Sequence, residues 1–303
     1  MGDYCNLYYI IFDLEWNSAY NYSAHTFMNE IIEIGAVKLD ERLNIIDAFK
    51  QLLFPHFTRK LSSRTKRLTN ITIDEIKENA VDFIDGFKAF AEWGRGNDNV
   101  YMSWSNSDLY VLTQNFIQNT GNPRVDFIKN YCDAQKYCMN FIEREEGEGN
   151  NQISLANCAE RFGISVDTES LHRALTDCYI TAECLKKVYD RDKIKPYIRH
   201  CDSSFFERLL FKPYYITEQV TEDFDINNVD LICPHCGGLL DLPEELTVMN
   251  KSFKGAVMCN YCRHPYWIFI RAKKLYDSVS VKTSYVEMNK RRARAITDKK
   301  KRK

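Results

Sequence analysis

Every position in "YYIIFDLEW" (8–16) is apolar except two, and both exceptions are acids. A run this apolar predicts a buried strand. Side chains alternate faces along a strand, so Asp13 and Glu15 point one way with Ile11 and Asn17, while Ile10, Phe12, Leu14 and Trp16 take the other. Strand-like stretches recur at "EIIEIGAVKLDE" (30–41) and "NIIDAFKQLLF" (44–54), which predicts a three-strand meander. The period then lengthens. Ile76, Ala80, Phe83, Phe87 and Phe90 sit at helical spacing through 73–94, a stretch that ends at Gly94. A short strand, "VYMSW" (100–104), precedes a predicted helix over 107–121 with Ser107 as its candidate cap. "DFIKNYCDAQKYC" (126–138) predicts a strand and a turn, and an acidic loop at 143–151 leads to helices over 154–164 and 176–191.

Strand and helix signals that alternate over the first 192 residues predict one α/β domain, 1–192. Mixed signals make 193–228 a connecting segment. Short strand-like pieces around four cysteines form a unit at 229–272, and 273–303 reads as a basic C-terminal tail.

Composition changes this picture in three places. An apolar fraction of 45% over 303 residues excludes a disordered chain and leaves room for more than one domain. The net charge of −1 conceals an asymmetry: residues 290–303 hold nine bases and one acid, so the body before them carries −9. No 18-residue apolar run predicts a membrane span. The N-terminal stretch lacks the basic segment of a secretory signal, and Asn6 does not fit a myristoylation pattern. Seven of the eleven cysteines are scattered through predicted helices and strands, which suits a reducing cytosol; the expected location is cytoplasmic.

Two like charges beside a core are unfavourable without a positive partner. Asp108 opens a helix at the carboxyl end of a strand, where α/β proteins place sites. Asp177 lies near the start of the last long helix, five residues after His172. Five residues turn a helix about 140° past a full turn, so the two converge only if His172 stands on the incoming loop. Four gathered acids call for hard cations, Mg²⁺ or Mn²⁺, at two neighbouring positions. Such a pair clamps the attacking and leaving oxygens of a displacement at phosphorus. A histidine titrating near neutrality can take the proton of an attacking water.

"FDLEW" (12–16), "SWSNSDLYVL" (103–112) and "HRALTDCYIT" (172–181) resemble the three motifs of the DEDDh 3′–5′ exonucleases of the RNase T and DnaQ superfamily. The last matches the pattern H-x-A-x-x-D. "NEIIEIGAVKLD" and "LTNIT" also look like that family's second strand and the element before its first helix, so the resemblance spans roughly 7–192. It implies an RNase H-like fold, a mixed five-stranded sheet flanked by helices. It also implies that Asp13, Glu15, Asp108 and Asp177 bind two Mg²⁺ or Mn²⁺ and that His172 is the general base. The implied reaction is metal-dependent hydrolysis from the 3′ end of single-stranded nucleic acid, with RNA favoured over DNA. Two alternatives are a non-catalytic nucleic-acid-binding scaffold and a DNA proofreading or trimming subunit of a larger complex. A degenerate scaffold should have lost one of the five site residues, and all five stand.

Two departures bear on substrate. Trp16 follows the motif glutamate where relatives often carry Thr or Phe. It either stacks on the terminal base or packs on the strand's other face. The segment 57–69 carries Arg59, Lys60, Arg64, Lys66 and Arg67, which either contact phosphates or form a solvated loop.

"CPHC" (233–236) and "CNYC" (259–262) supply Cys233, Cys236, Cys259 and Cys262 as two pairs 22 residues apart. That spacing predicts a zinc ribbon holding one structural Zn²⁺, since four protein ligands leave no open position for water. His235 and His264 are then surplus and expected at the surface. The ribbon either helps hold nucleic acid or recruits a protein partner.

Overall fold

The computed structural model describes residues 7–22, 25–58, 60–96, 98–143, 152–165 and 173–288. It forms two compact units, Met1–Leu210 and Phe211–Lys303.

The first unit is a mixed sheet with helices on both faces. β1 (Tyr9–Asn21) and β2 (Thr26–Leu39) form a long antiparallel hairpin, and β3 (Ile45–Leu52) pairs antiparallel with β2. Two short helices follow, α1 (Ser63–Thr69) and α2 (Ile73–Asn79), capped by the side chains of Ser62 and Thr72. Then come α3 (Phe83–Trp93), β4 (Val100–Ser103), α4 (Ser107–Thr120), β5 (Asn130–Asp133) and α5 (Ala134–Cys138). The unit ends with α6 (Leu155–Arg161), α7 (Ala174–Val188), α8 (Arg191–Ile194), β6 (Ile198–His200) and α9 (Ser203–Leu210). The sheet order is β3-β2-β1-β4-β5-β6, with β4 parallel to β1 and β5 and with β6 antiparallel to β5.

Alternation along β1 assigns each side chain to a layer. Tyr9 and Ile11 enter a core cluster with Cys178, Ala182 and Leu185 of α7. Ile10, Phe12 and Leu14 enter a second cluster with Phe87 and Phe90 of α3 and Leu109 and Leu112 of α4. Each fully buried side chain of this size contributes about 1.5–3 kcal/mol.

The structure corrects the sequence expectation in four places. The sheet has six strands, not five, because Ile198–His200 lies within the assigned connecting segment and pairs with β5. The helix expected over 73–94 is two helices: Ala80 is extended, Val81 bridges to Leu53, and α3 restarts at Phe83. Ser107 is the first residue of α4 rather than its cap, and its N–H donates to Ser105 Oγ at 3.2 Å. The cysteine unit extends beyond 229–272 in both directions.

In that second unit β7 (Tyr214–Ile216) pairs with the end of β12 (Pro265–Lys274), and β13 (Val279–Glu287) runs along β12 inside the assigned tail. The remaining strands are β8 (Leu231–Ile232), β9 (Leu239–Leu240), β10 (Thr247–Met249) and β11 (Ser252–Met258). Phe253, Tyr266, Ile268 and Ile270 centre its buried core. Residues 290–303 lie outside the described residues.

Candidate active site and metal centre

The site begins at a register. Asp13 of β1 lies opposite Gly35 of β2, and Glu15 lies opposite Glu33. Because Gly35 has no side chain, the backbone of α7 can lie against it. A Cβ there would sit 2.2 Å from Leu175 N, and Cys178 Sγ donates to Gly35 O at 3.3 Å. This close approach brings Asp177, in the first turn of α7, to the two acids of β1. Carboxylate oxygens of Asp13, Glu15 and Asp177 all lie within 4.8 Å of one another. We expect Gly35→Ala to push α7 off β2 and cost about 1–3 kcal/mol or more, as overpacked cores do. It should also cost cleavage activity; an unchanged melting temperature together with unchanged activity would refute the close-packing account.

Glu33 fixes the entry to the same helix. It is fully buried, and it accepts Arg173 Nη2 at 2.7 Å, Arg173 Nε at 3.2 Å and the Ala174 N–H at 3.1 Å. Arg173 also reaches Glu75 of α2 at 3.0 Å. The sequence reading passed over both residues, although an acid in the apolar run "EIIEIGAV" was the same signal that singled out Asp13 and Glu15.

Asp108 closes the group from the other core layer. It is buried at the start of α4, and Leu14 N–H donates to its Oδ1 at 3.2 Å. The turn before it is held by Ser105, which has φ +81° and whose carbonyl accepts the Tyr131 hydroxyl at 2.9 Å. A non-glycine residue in that conformation carries strain of the kind found at functional sites. Burial, and then the charges of Asp108, Glu15 and Asp177, hold the Asp13 carboxyl well above the usual carboxylate range. Glu15 is pushed up to about 9 by burial and by Asp177, Glu33 and Asp108, with Arg173 opposing. Asp108 rises to about 7 through burial, despite the Leu14 N–H. A cluster of acids this reluctant to ionise, with oxygens this close, fits hard divalent cations.

The acids open into a cavity of about 500 Å³ whose wall includes Trp16, Arg64, Trp104, Ser105 and Asp108. Trp16 packs against the second core cluster, as alternation predicts, and its remaining surface lines the cavity. At this point β2 carries an extra residue, Ile32, so that Glu15 lies opposite Glu33 and Trp16 opposite Ile31, and the bulge bends β2 and raises the local twist of the hairpin. Buried Asn17 ties the basic segment to the site: its Nδ2 donates to Thr58 Oγ1 and Lys60 O, and its Oδ1 accepts from Ser62 N. Of the three basic residues singled out on α1, Arg64 lines the cavity, whereas Lys66 and Arg67 are exposed away from it. Arg59 and the expected base, His172, fall outside the described residues.

In the second unit the four sulfurs of Cys233, Cys236, Cys259 and Cys262 lie within 4.8 Å of one another. The Cys233–Cys262 and Cys236–Cys259 contacts are each 3.6 Å. Tetrahedral zinc at about 2.3 Å from sulfur would need edges of about 3.8 Å, so the set fits that ion. Burial opposes ionisation of Cys233, yet the N–H groups of Cys236 and His235, with Tyr266 and Cys262, bring its thiol down to about 6. The two histidine rings lie against each other with centroids 3.7 Å apart and planes tilted by 32°; His235 is exposed as expected, but His264 is half-buried.

A family model described as an exonuclease, RNase_T, matches residues 10–185. No curated protein matches the sequence. Among solved structures, the fold is similar to a 3′-exonuclease in a study of 3′-end-specific recognition of the histone mRNA stem-loop. There the identity is 20% and the TM-score 0.52, over 67% of this chain and 93% of that one. The nuclease domain of 3′hExo, a DEDDh family member bound to rAMP, is 23% identical with a TM-score of 0.50, over 62% and 93% of the two chains. Cell-death related nuclease 4 is 19% identical with a TM-score of 0.50, over 59% of this chain and 62% of that one.

Proposed function

The chain belongs to the RNase_T exonuclease family, and from that premise we propose that it removes nucleotides from the 3′ end of single-stranded nucleic acid, RNA in preference to DNA. The observation that carries this reading is the meeting of Asp13, Glu15 and Asp177 within 4.8 Å, beside Asp108 in one cavity. These four would hold two Mg²⁺ or Mn²⁺, which when bound supply the positive charge for in-line displacement at phosphorus. Arg64 on the cavity wall meets the incoming phosphates, and Trp16 offers a ring to the terminal base. His172 takes the proton of the attacking water while the P–O bond to the departing 3′ oxygen breaks.

The test uses 5′-labelled single-stranded RNA, single-stranded DNA and duplexes, each with Mg²⁺ or Mn²⁺. Stepwise shortening from the 3′ end is expected, faster on RNA than on DNA. Intact substrates under every condition would overturn the proposal.

His172→Ala should lower the saturated rate by about 10²–10⁴-fold, with the residual rate rising with pH as hydroxide substitutes for the base. If affinity fell while the saturated rate held, His172 would be a substrate contact. Deleting residues 290–303 should weaken binding of long substrates and flatten its salt dependence by about 0.7 in log–log slope per lost phosphate contact. Equal slopes with and without those residues would show that the nine bases do not meet nucleic acid.

A further inference from the structure

The second unit's main sheet buries one face in its core: Phe253 of β11 and Tyr266, Ile268, Ile270 and Ala272 of β12 all point there. The residues between them point the opposite way. On β12 these are Trp267, Phe269, Arg271 and Lys273; Lys254 on β11 pairs with Phe269, Lys282 on β13 pairs with Arg271, and Tyr215 on β7 pairs with Lys273. We propose that this outer face is a binding platform for single-stranded nucleic acid.

Three observations carry it. First, cations and rings alternate on one surface. Lys254 Nζ stands 4.5 Å from the centroid of Trp267 and 5.5 Å from that of Phe269. Lys251 Nζ, the Arg271 guanidinium and Lys273 Nζ lie 5.3, 5.7 and 5.8 Å from the Tyr215 ring. Second, the charge is uncompensated. None of Lys251, Lys254, Arg271, Lys273 and Lys282 is ion-paired with a carboxylate among the described residues. Three cations crowded on one ring repel one another, and a run of phosphates relieves that repulsion. Third, the rings are spaced for an extended chain. Trp267 and Phe269 are two residues apart on one strand, about 6.6 Å, so unstacked bases can be taken in succession. A duplex hides its bases and offers these rings nothing. Lys254 holds the place of a base over Trp267, and its flexible stem lets the ammonium move to a phosphate when a base arrives.

The ligand class follows the exonuclease reading, but the platform is testable without it. Fluorescence anisotropy of the full-length protein with labelled single-stranded oligonucleotides, no divalent ion added, measures binding where no cleavage is expected. Arg271→Glu with Lys273→Glu should weaken Kd at least tenfold and lower the salt slope by more than one, at about 0.7 per phosphate. Trp267→Leu should weaken Kd roughly tenfold for ordinary strands and little for an abasic strand, since only the stacking is lost. Zinc content and melting temperature at parental values exclude misfolding. Unchanged Kd and slope in both folded variants overturn the platform, as does equal affinity for the abasic strand or for a duplex; equal competition by a polyglutamate peptide would instead assign the face to an acidic protein. Cleavage by the parent without these binding effects removes the platform alone. The binding effects without cleavage remove the nuclease reading alone.

Discussion

Asp13→Ala is expected to abolish cleavage and, without divalent ions, to leave a protein that melts at a higher temperature than its parent. Both halves follow from one geometry. Asp13 shares the 4.8 Å cluster with Glu15 and Asp177, so its loss removes one of the acids proposed to hold the metals. It also removes a carboxyl whose ionisation burial and the neighbouring acids oppose, so that it titrates well above the ordinary carboxylate range. The sign of the pH dependence is fixed by that shift. An acid raised on folding binds its proton more tightly in the folded state, so the metal-free protein loses stability as pH rises. The loss starts near the unfolded values of about 4, passes through about 7 for Asp108, and is complete above about 9 for Glu15. Metal-free parent protein should therefore melt lower at pH 9 than at pH 5, Mg²⁺ should restore it at high pH, and Asp13→Ala should shrink both effects. Parental turnover in purified Asp13→Ala would sink the assignment, and a metal-free melting temperature that climbs from pH 5 to pH 9 would sink the electrostatic account.

If the Cys₄ set holds one Zn²⁺, as its sulfur geometry fits and as we propose, removing that ion is expected to have the largest effect on stability. Binding to a Cys₄ set is worth roughly 10–16 kcal/mol in small zinc units, more than the margin of most domains. The knuckles at Cys233–Cys236 and Cys259–Cys262 sit between β8 and β9 and between β11 and β12, so the loss should begin there. Cys233→Ser should bring zinc from one ion per chain to near none, and hydrogen exchange should show protection lost over 231–240 and at the start of β12. Sustained protection after verified zinc loss would mean that the thirteen-member buried cluster holds the unit without the metal.

How far the sequence disclosed this depended on whether the signal was local. The acids at Asp13 and Glu15 were readable because a charge in an apolar strand has no cheap alternative. The cysteine pairs were readable because ligand spacing is itself the signal. Glu33 and Arg173 were not read, since their ion pair spans 140 residues and neither alone announces the other. The split between α2 and α3 escaped because apolar spacing continues across it; the break comes from Val81 pairing with Leu53, a tertiary contact. Strand β13 escaped because none of its nine residues is buried and six are exposed, so no apolar face marks it and only its pairing with β12 defines it.

The sixth strand of the nuclease unit alters where that unit can be cut. The family match ends at 185, and a boundary near 192 looks natural. Yet β6 covers the outer edge of β5 from Asn130 to Cys132, and Phe206 of α9 fills the core beside Tyr131. A protein ending at 192 would leave the backbone groups of β5 unpaired along a strand with buried, apolar neighbours, which is a template for another copy to extend. The thirteen residues from Ile198 to Leu210 thus act as a guard against self-assembly, and solubility, rather than catalysis, is what a shorter nuclease would lose first.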